Sequence, residues 1–123
     1  MGMMLAGTAV IAAFNLTCSG MAEFTDRDGK SGRQPYTEHY RVDPAHHLFC
    51  SGACATPNPL KSISDAMVVF YDFRDGDDVA RESFDRRSGA HLVQAKKIGS
   101  RMRFSRVGTC TVEPFTGFPG IAG

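Results

Sequence analysis

The sequence predicts an all-β domain, a small antiparallel sandwich or barrel of about seven or eight short strands stapled by disulfides. Three observations predict it. Apolar and polar side chains alternate at a two-residue period through most of the chain, as in half-buried strands. Thirteen glycines and six prolines break the 123 residues into short pieces, and no piece sustains a helical period. Four cysteines, an even set, sit in a chain long enough for one domain and hardly more.

The elements follow in order. Phe14, Leu16 and Cys18 point one way and Asn15 and Thr17 the other. The polar stretch Thr25 to Arg33, with Gly29 and Gly32, is a turn region. Tyr36, Tyr40 and Val42 share a face, interrupted by Glu38, and Thr37, His39 and Arg41 oppose them. Asp43-Pro44 opens a turn, and Leu48-Phe49-Cys50 is a short strand. Pro57 and Pro59 make Ala55 to Pro59 a loop. Lys61 to Asp65 is the best helix candidate, one turn long. Ala66 to Phe73 is the strongest strand; apolar on both phases at its centre, it is expected to be buried on both faces. Asp75-Gly76 signals a hairpin into a strand over Val79 to Asp85. His91 to Ile98 alternates weakly. In the next strand Arg101 and Arg103 face one side and Met102 and Phe104 the other, with Gly108 expected to shift the register before Cys110. Phe115 and Phe118 of the tail are expected to plug one end of the core.

Composition bounds the function. Apolar residues make up 42% of the chain and charged residues 22%, which is neither a disordered composition nor that of a chain embedded throughout in membrane. Fourteen Lys and Arg against thirteen Asp and Glu give a net charge of +1, without the basic excess of a dedicated nucleic-acid binder.

Residues Met1 to Phe14 carry no charged side chain. The run from Met3 to Ala13 is too short to span a bilayer, which takes about 20 residues, and it fits the apolar core and small-residue end of a secretory signal. No Lys or Arg precedes it. Thr8 stands where the acylated Cys of a lipoprotein box would be. The expected organisation is a signal peptide over 1–13 and a single β-rich domain over 14–123, periplasmic or secreted, with no membrane span in the mature chain.

Export favours disulfides for Cys18, Cys50, Cys54 and Cys110. Four cysteines allow three pairings. The favoured one is Cys18–Cys110, tying the first mature strand to the last, with Cys50–Cys54, where Gly52 relieves the tight turn. The rival reading is a metal site using Cys50 and Cys54 with His46 and His47, but no second ligand pair follows at finger spacing. A redox-active Cys-x-x-Cys is absent.

Other chemistry leaves fainter marks. Asp72, Asp75, Asp77, Asp78 and Glu82 crowd one region, yet an EF-hand template centred on Gly76 puts Tyr71 and Phe73 at ligand positions, so solvated turns account for the acids. His39, His46 and His47 are candidate metal ligands, although His46 and His47 need a turn to converge on one ion. His91 reads as a lone strand histidine. No Gly-x-Ser-x-Gly elbow and no phosphate-binding glycine loop occur. Asn15-Leu16-Thr17 matches a glycosylation sequon. Lys96, Lys97, Arg101, Arg103 and Arg106 cluster near the C-terminal strands, where Arg101, Arg103 and Arg106 form a candidate binding face for an anionic surface or an acidic envelope protein.

The ordered pieces Leu16-Thr17-Cys18-Ser19-Gly20, Tyr40-Arg41-Val42-Asp43, Phe49-Cys50-Ser51-Gly52-Ala53-Cys54, Asp85-Arg86-Arg87-Ser88-Gly89, Gly108-Thr109-Cys110 and Pro114-Phe115-Thr116-Gly117-Phe118-Pro119 resemble a group of uncharacterised small exported disulfide-containing β-rich proteins of alphaproteobacteria. The resemblance implies a secreted or periplasmic domain and brings no activity with it. Ser88-Gly89-Ala90-His91 is also similar to the inhibitory loop of periplasmic inhibitors of c-type lysozyme, small barrels whose first and last strands are disulfide-linked. That loop typically continues with a basic residue and Tyr; His91 and Leu92 stand here instead. The expected function is therefore a non-enzymatic, cofactor-free binding or envelope-associated module. The alternatives are a lysozyme inhibitor and a small metal-binding protein or hydrolase using His39, His46 and His47.

Overall fold

A computed structural model describes residues 12–119, so residues 1–11, most of the expected export signal, lie outside the described part. The chain forms strands β1 (Phe14–Thr25), β2 (Ser31–Asp43), β3 (Leu48–Ser51), β4 (Asn58–Pro59), β5 (Ser62–Ile63), β6 (Met67–Asp75), β7 (Asp78–Asp85), β8 (Ala90–Lys97) and β9 (Arg103–Pro114). All nine belong to one antiparallel sheet in the order β4-β3-β2-β1-β9-β8-β7-β6-β5. Strands adjacent in the sheet are adjacent in sequence except β1 and β9, the first and last strands, which pair with each other. With no crossover to split it, the sheet stays single and curls into a half-barrel, so that of the two expected forms, sandwich or barrel, the barrel-like one is seen.

The curl brings distant strands face to face. Tyr40 of β2 stacks on Phe70 of β6 at 4.8 Å between ring centroids, and Phe49 of β3 meets the same ring edge-on at 5.0 Å. The sheet's two edges are tied through Leu60 and Lys61, which link β4 to β5. The Leu60 N–H donates to the His47 carbonyl beside β3 at 2.8 Å, and the Lys61 N–H to Val69 of β6 at 3.0 Å. This segment replaces the expected one-turn helix. The short helix that does form is the 3-10 turn Pro44–His46, where Pro44 supplies a preset φ. Splitting the tie into two edge strands raises the strand number above the expected seven or eight. Pro59 is accommodated because an edge position needs no ladder donor on its open side.

Alternation assigns the faces. Phe14, Leu16, Cys18 and Ala22 of β1, Tyr36, Tyr40 and Val42 of β2, and Val68, Phe70 and Phe84 across the curl form the core. A bulge between Val69 and Tyr71 explains why Val68, Val69 and Phe70 are buried in succession. Gly76, at φ 61°, makes the two-residue turn between β6 and β7. Asp85 holds the next turn by accepting from the amides of Arg87 at 2.9 Å and Ser88 at 3.0 Å. Gly108 does not shift the register: β9 pairs without interruption to both β1 and β8. Phe115 and Phe118 do not plug the core. They pack edge-on against each other at 5.5 Å, while Arg41 donates to the Gly117 carbonyl at 2.6 Å and pins the tail. Pro35 lies in the part of β2 that β3, which pairs only with Tyr40 to Asp43, leaves uncovered.

Two disulfides form, Cys18–Cys110 across β1 and β9 and Cys50–Cys54 within one loop. The first closes a separation of 92 residues and the second one of 4. Loop-closure entropy makes them worth about 4–5 and about 2 kcal/mol respectively. Breaking the long bridge by Cys18→Ser with Cys110→Ser is therefore expected to cost about twice the stability lost with Cys50→Ser and Cys54→Ser, measured by denaturant unfolding. Native protein treated with a thiol-alkylating reagent should show no mass increase.

Candidate functional site

Charged and polar side chains occupy places on the apolar phase of several strands. Glu38 lies between Tyr36 and Tyr40 on β2, Glu82 two residues before Phe84 on β7, His91 two before Val93 on β8, and Arg106 between Phe104 and Gly108 on β9. Curling gathers all of them inside. Glu82 and His91 are 5% and 1% exposed.

Two glycines make the convergence possible. Gly20 of β1 faces Gly108 of β9, and Tyr36 and His91 flank the pair on β2 and β8. The Tyr36 hydroxyl lies over Gly108 and meets His91 Nδ1 at 2.7 Å. A Cβ at Gly108 would be driven into the Ser19 carbonyl oxygen and the Tyr36 hydroxyl. On the other side of the imidazole, Nε2 lies 2.6 Å from Glu82 Oε2, and the Tyr40 hydroxyl donates to the same oxygen. The protonation that satisfies every group has the Nε2–H donating to Glu82 and Nδ1 accepting from Tyr36.

All three tyrosines of the protein surround this carboxylate. Burial, helped by the Glu82 charge, lifts the Tyr40 phenol far above its ordinary 10.0 and pushes Tyr71 up to about 12. Tyr36 is raised chiefly by burial, against the pull of the Arg106 guanidinium. Carboxylate, imidazole and hydroxyl here stand in the order of a charge relay. The relay ends, however, in a phenol closed against Gly108 and kept protonated, and neither Tyr36 nor His91 lines the pocket described next. The arrangement holds the interior together and presents no nucleophile.

Above the network the curl leaves an open pocket of about 420 Å³, within the usual range of small-molecule sites. Phe49, Phe70 and Pro59 form its apolar wall; Tyr71, Glu38 and Arg106 are prominent on the polar side. Ser51 and Asn58 stand at its edge, and the Cys50–Cys54 bridge closes the loop that carries Ser51 and Gly52 past Glu38. The Arg106 guanidinium lies over the rings of Tyr36 at 5.0 Å and Phe104 at 5.4 Å. Its Nη1 is 3.8 Å from Glu38, and its Nε is buried without an acceptor.

No family model, curated protein or solved structure matches this chain. The geometry alone therefore sorts the residues singled out from the sequence. Arg103 lies on the outer face of β9 and Arg106 on the inner, while Arg101 leaves the sheet in the β8–β9 turn and donates to the Asp28 carbonyl at 3.3 Å. These arginines do not share one surface. Arg103 joins Lys96 in a wider outer concavity, where Arg33 pairs with Glu23 at 2.9 Å and Arg81 with Asp72 at 3.2 Å. Such exposed pairs contribute about 0–1 kcal/mol each.

The three candidate histidines are dispersed. His39 contacts the Thr17 hydroxyl on the outer face, His46 pairs with Asp43 at 2.8 Å, and His47 adopts a left-handed conformation after the 3-10 turn. The group of potential ligands within mutual reach among the described residues is Cys18, His91 and Cys110, whose two sulfurs are bonded to each other. Asn15 of the sequon is hydrogen-bonded to Thr116 of the tail. His91, which follows the Ser88-Gly89-Ala90 stretch likened to an inhibitory loop, turns inward and is unavailable as an exposed contact. Glu38, Glu82 and His91 are named in the sequence but assigned to no site there. Their signal was a charged or imidazole group on the phase otherwise held by aromatic and aliphatic side chains.

Raised phenol values carry a sign. In the unfolded chain the tyrosines ionise near 10.0, but in the folded protein they resist ionisation, Tyr71 until about 12. The stability they contribute is complete below pH 10 and is lost as pH rises through the folded values. Absorbance at 295 nm is expected to stay flat where free tyrosine titrates and then to rise together with cooperative unfolding. A separate prediction concerns the glycine pair: Gly108→Ala should destabilise by about 1–3 kcal/mol through overpacking, as measured by chemical denaturation.

Proposed function

We propose that this chain is an exported, non-enzymatic binding module whose ligand site is the inner pocket. One observation carries the proposal: an open pocket of small-molecule size lies in the curl, lined by both polar groups and aromatic rings. Arg106 lines it with a stretched ion pair to Glu38, whereas the Glu82–His91 network beneath is internally satisfied. The polar groups that remain under-used are those the pocket presents. Export is supported by the two disulfides and by the apolar N-terminal run. The outer arginine surface supports a partner less well, because its cations are dispersed and several already pair with acids.

Thermal denaturation of the oxidised protein against a panel of small polar and amphiphilic compounds tests this reading. A compound at one hundred times its dissociation constant stabilises the native state by about 2.7 kcal/mol, several degrees in Tm for a domain of this size. Ser51→Trp, placed at the exposed edge of the cavity, is expected to leave the unliganded Tm nearly unchanged and abolish the shift. A panel without any stabilising compound, or a shift that survives Ser51→Trp, overturns the proposal.

A further inference from the structure

The pocket contains opposed fixed charges that do not fully use one another. The Arg106 guanidinium lies over two aromatic rings, its Nε is buried without an acceptor, and its Nη1 stands beyond hydrogen-bond reach of Glu38. A guanidinium fixed in this way is a ready receptor for a planar carboxylate, which it can engage with parallel hydrogen bonds. Beside it, Glu38 offers a carboxylate, and Tyr71 lines the same pocket.

A purely anionic ligand would meet repulsion from Glu38 and Glu82, both of which line the pocket, and a purely cationic one would meet it from Arg106. A ligand carrying both charges a few bonds apart satisfies the two together. The remaining wall of Phe49, Phe70 and Pro59 is apolar and asks for a hydrocarbon or aromatic group on the same ligand. We infer that the pocket takes a small zwitterion of the α-amino-acid class with an apolar side chain, its carboxylate on Arg106 and its ammonium against Glu38. This inference rests on the reading of the pocket as the binding site and assigns that site its ligand chemistry.

Isothermal titration of the oxidised protein with three probes tests it: L-phenylalanine, phenethylamine, which lacks the carboxylate, and N-acetyl-L-phenylalanine, which lacks the ammonium. The amino acid is expected to bind at least tenfold more tightly than either relative. Arg106→Gln should weaken L-phenylalanine at least tenfold while leaving phenethylamine within a factor of two or three, and Glu38→Gln should show the mirror pattern with the N-acetyl compound. Arg106→Lys, which keeps the charge but loses the planar fork, should fall between, and it remains informative where Arg106→Gln folds poorly. Equal affinity for the three probes, or loss of all three to the same extent on Arg106→Gln, overturns the zwitterion assignment. If none of the three binds but another compound gives a thermal shift that Ser51→Trp removes, the zwitterion assignment fails and the pocket reading stands. If no compound gives such a shift, both fail.

Discussion

Cys18 and Cys110 face each other across β1 and β9, and the bond between them fixes which residues of β9 look inward. In a sheet, a slip of one residue would carry every side chain of the strand to the other face. Here it would move Arg106 out of the pocket and separate Gly108 from Gly20, and with that pair would go the floor over which Tyr36 reaches His91. The bridge therefore does more than restrict the unfolded chain. It holds the register on which the core, the polar network and the cavity all rely.

The interior that results is unusually polar for a small domain. A carboxylate, an imidazole and two phenols are withdrawn from water beside Phe70 and Phe84, and each costs free energy to bury unless it finds partners. The partners come from β2, β7 and β8, so the network links strands that are far apart in the sheet order. Satisfied groups of this kind favour one packing arrangement over its near alternatives. They also separate two kinds of polar residue within one cavity wall: Glu82 and Tyr40 are engaged below, while Arg106 and Glu38 are incompletely matched above.

Much of the scaffold was legible in the residues. The alternation of Phe14, Leu16 and Cys18 set the inner face of β1, the run Val68-Val69-Phe70 announced a doubly buried strand, and the spacing around Gly52 pointed to the short bridge. Single-sheet closure was hidden because alternation specifies which face is buried but not what lies opposite it. The tie at Leu60-Lys61 was missed because its strands are two residues each, below the length at which a period can be seen. The pocket was hidden for a related reason. Glu38 interrupts an apolar face, and Glu82 and His91 occupy equivalent phases on other strands, but only the curl reveals that these interruptions coincide in space. The arginine face failed to assemble because Arg106 lies an odd number of residues from Arg103, which puts it on the opposite side of the strand.

Pro35 occupies the stretch of β2 left uncovered by β3. An imino residue in that border denies an incoming chain a regular row of donors, so a second molecule cannot readily lengthen the sheet by adding itself alongside. That stretch of β2 is thus poorly suited to fibrous stacking, and sheet extension of this domain would have to start elsewhere, where β6 runs on past β5.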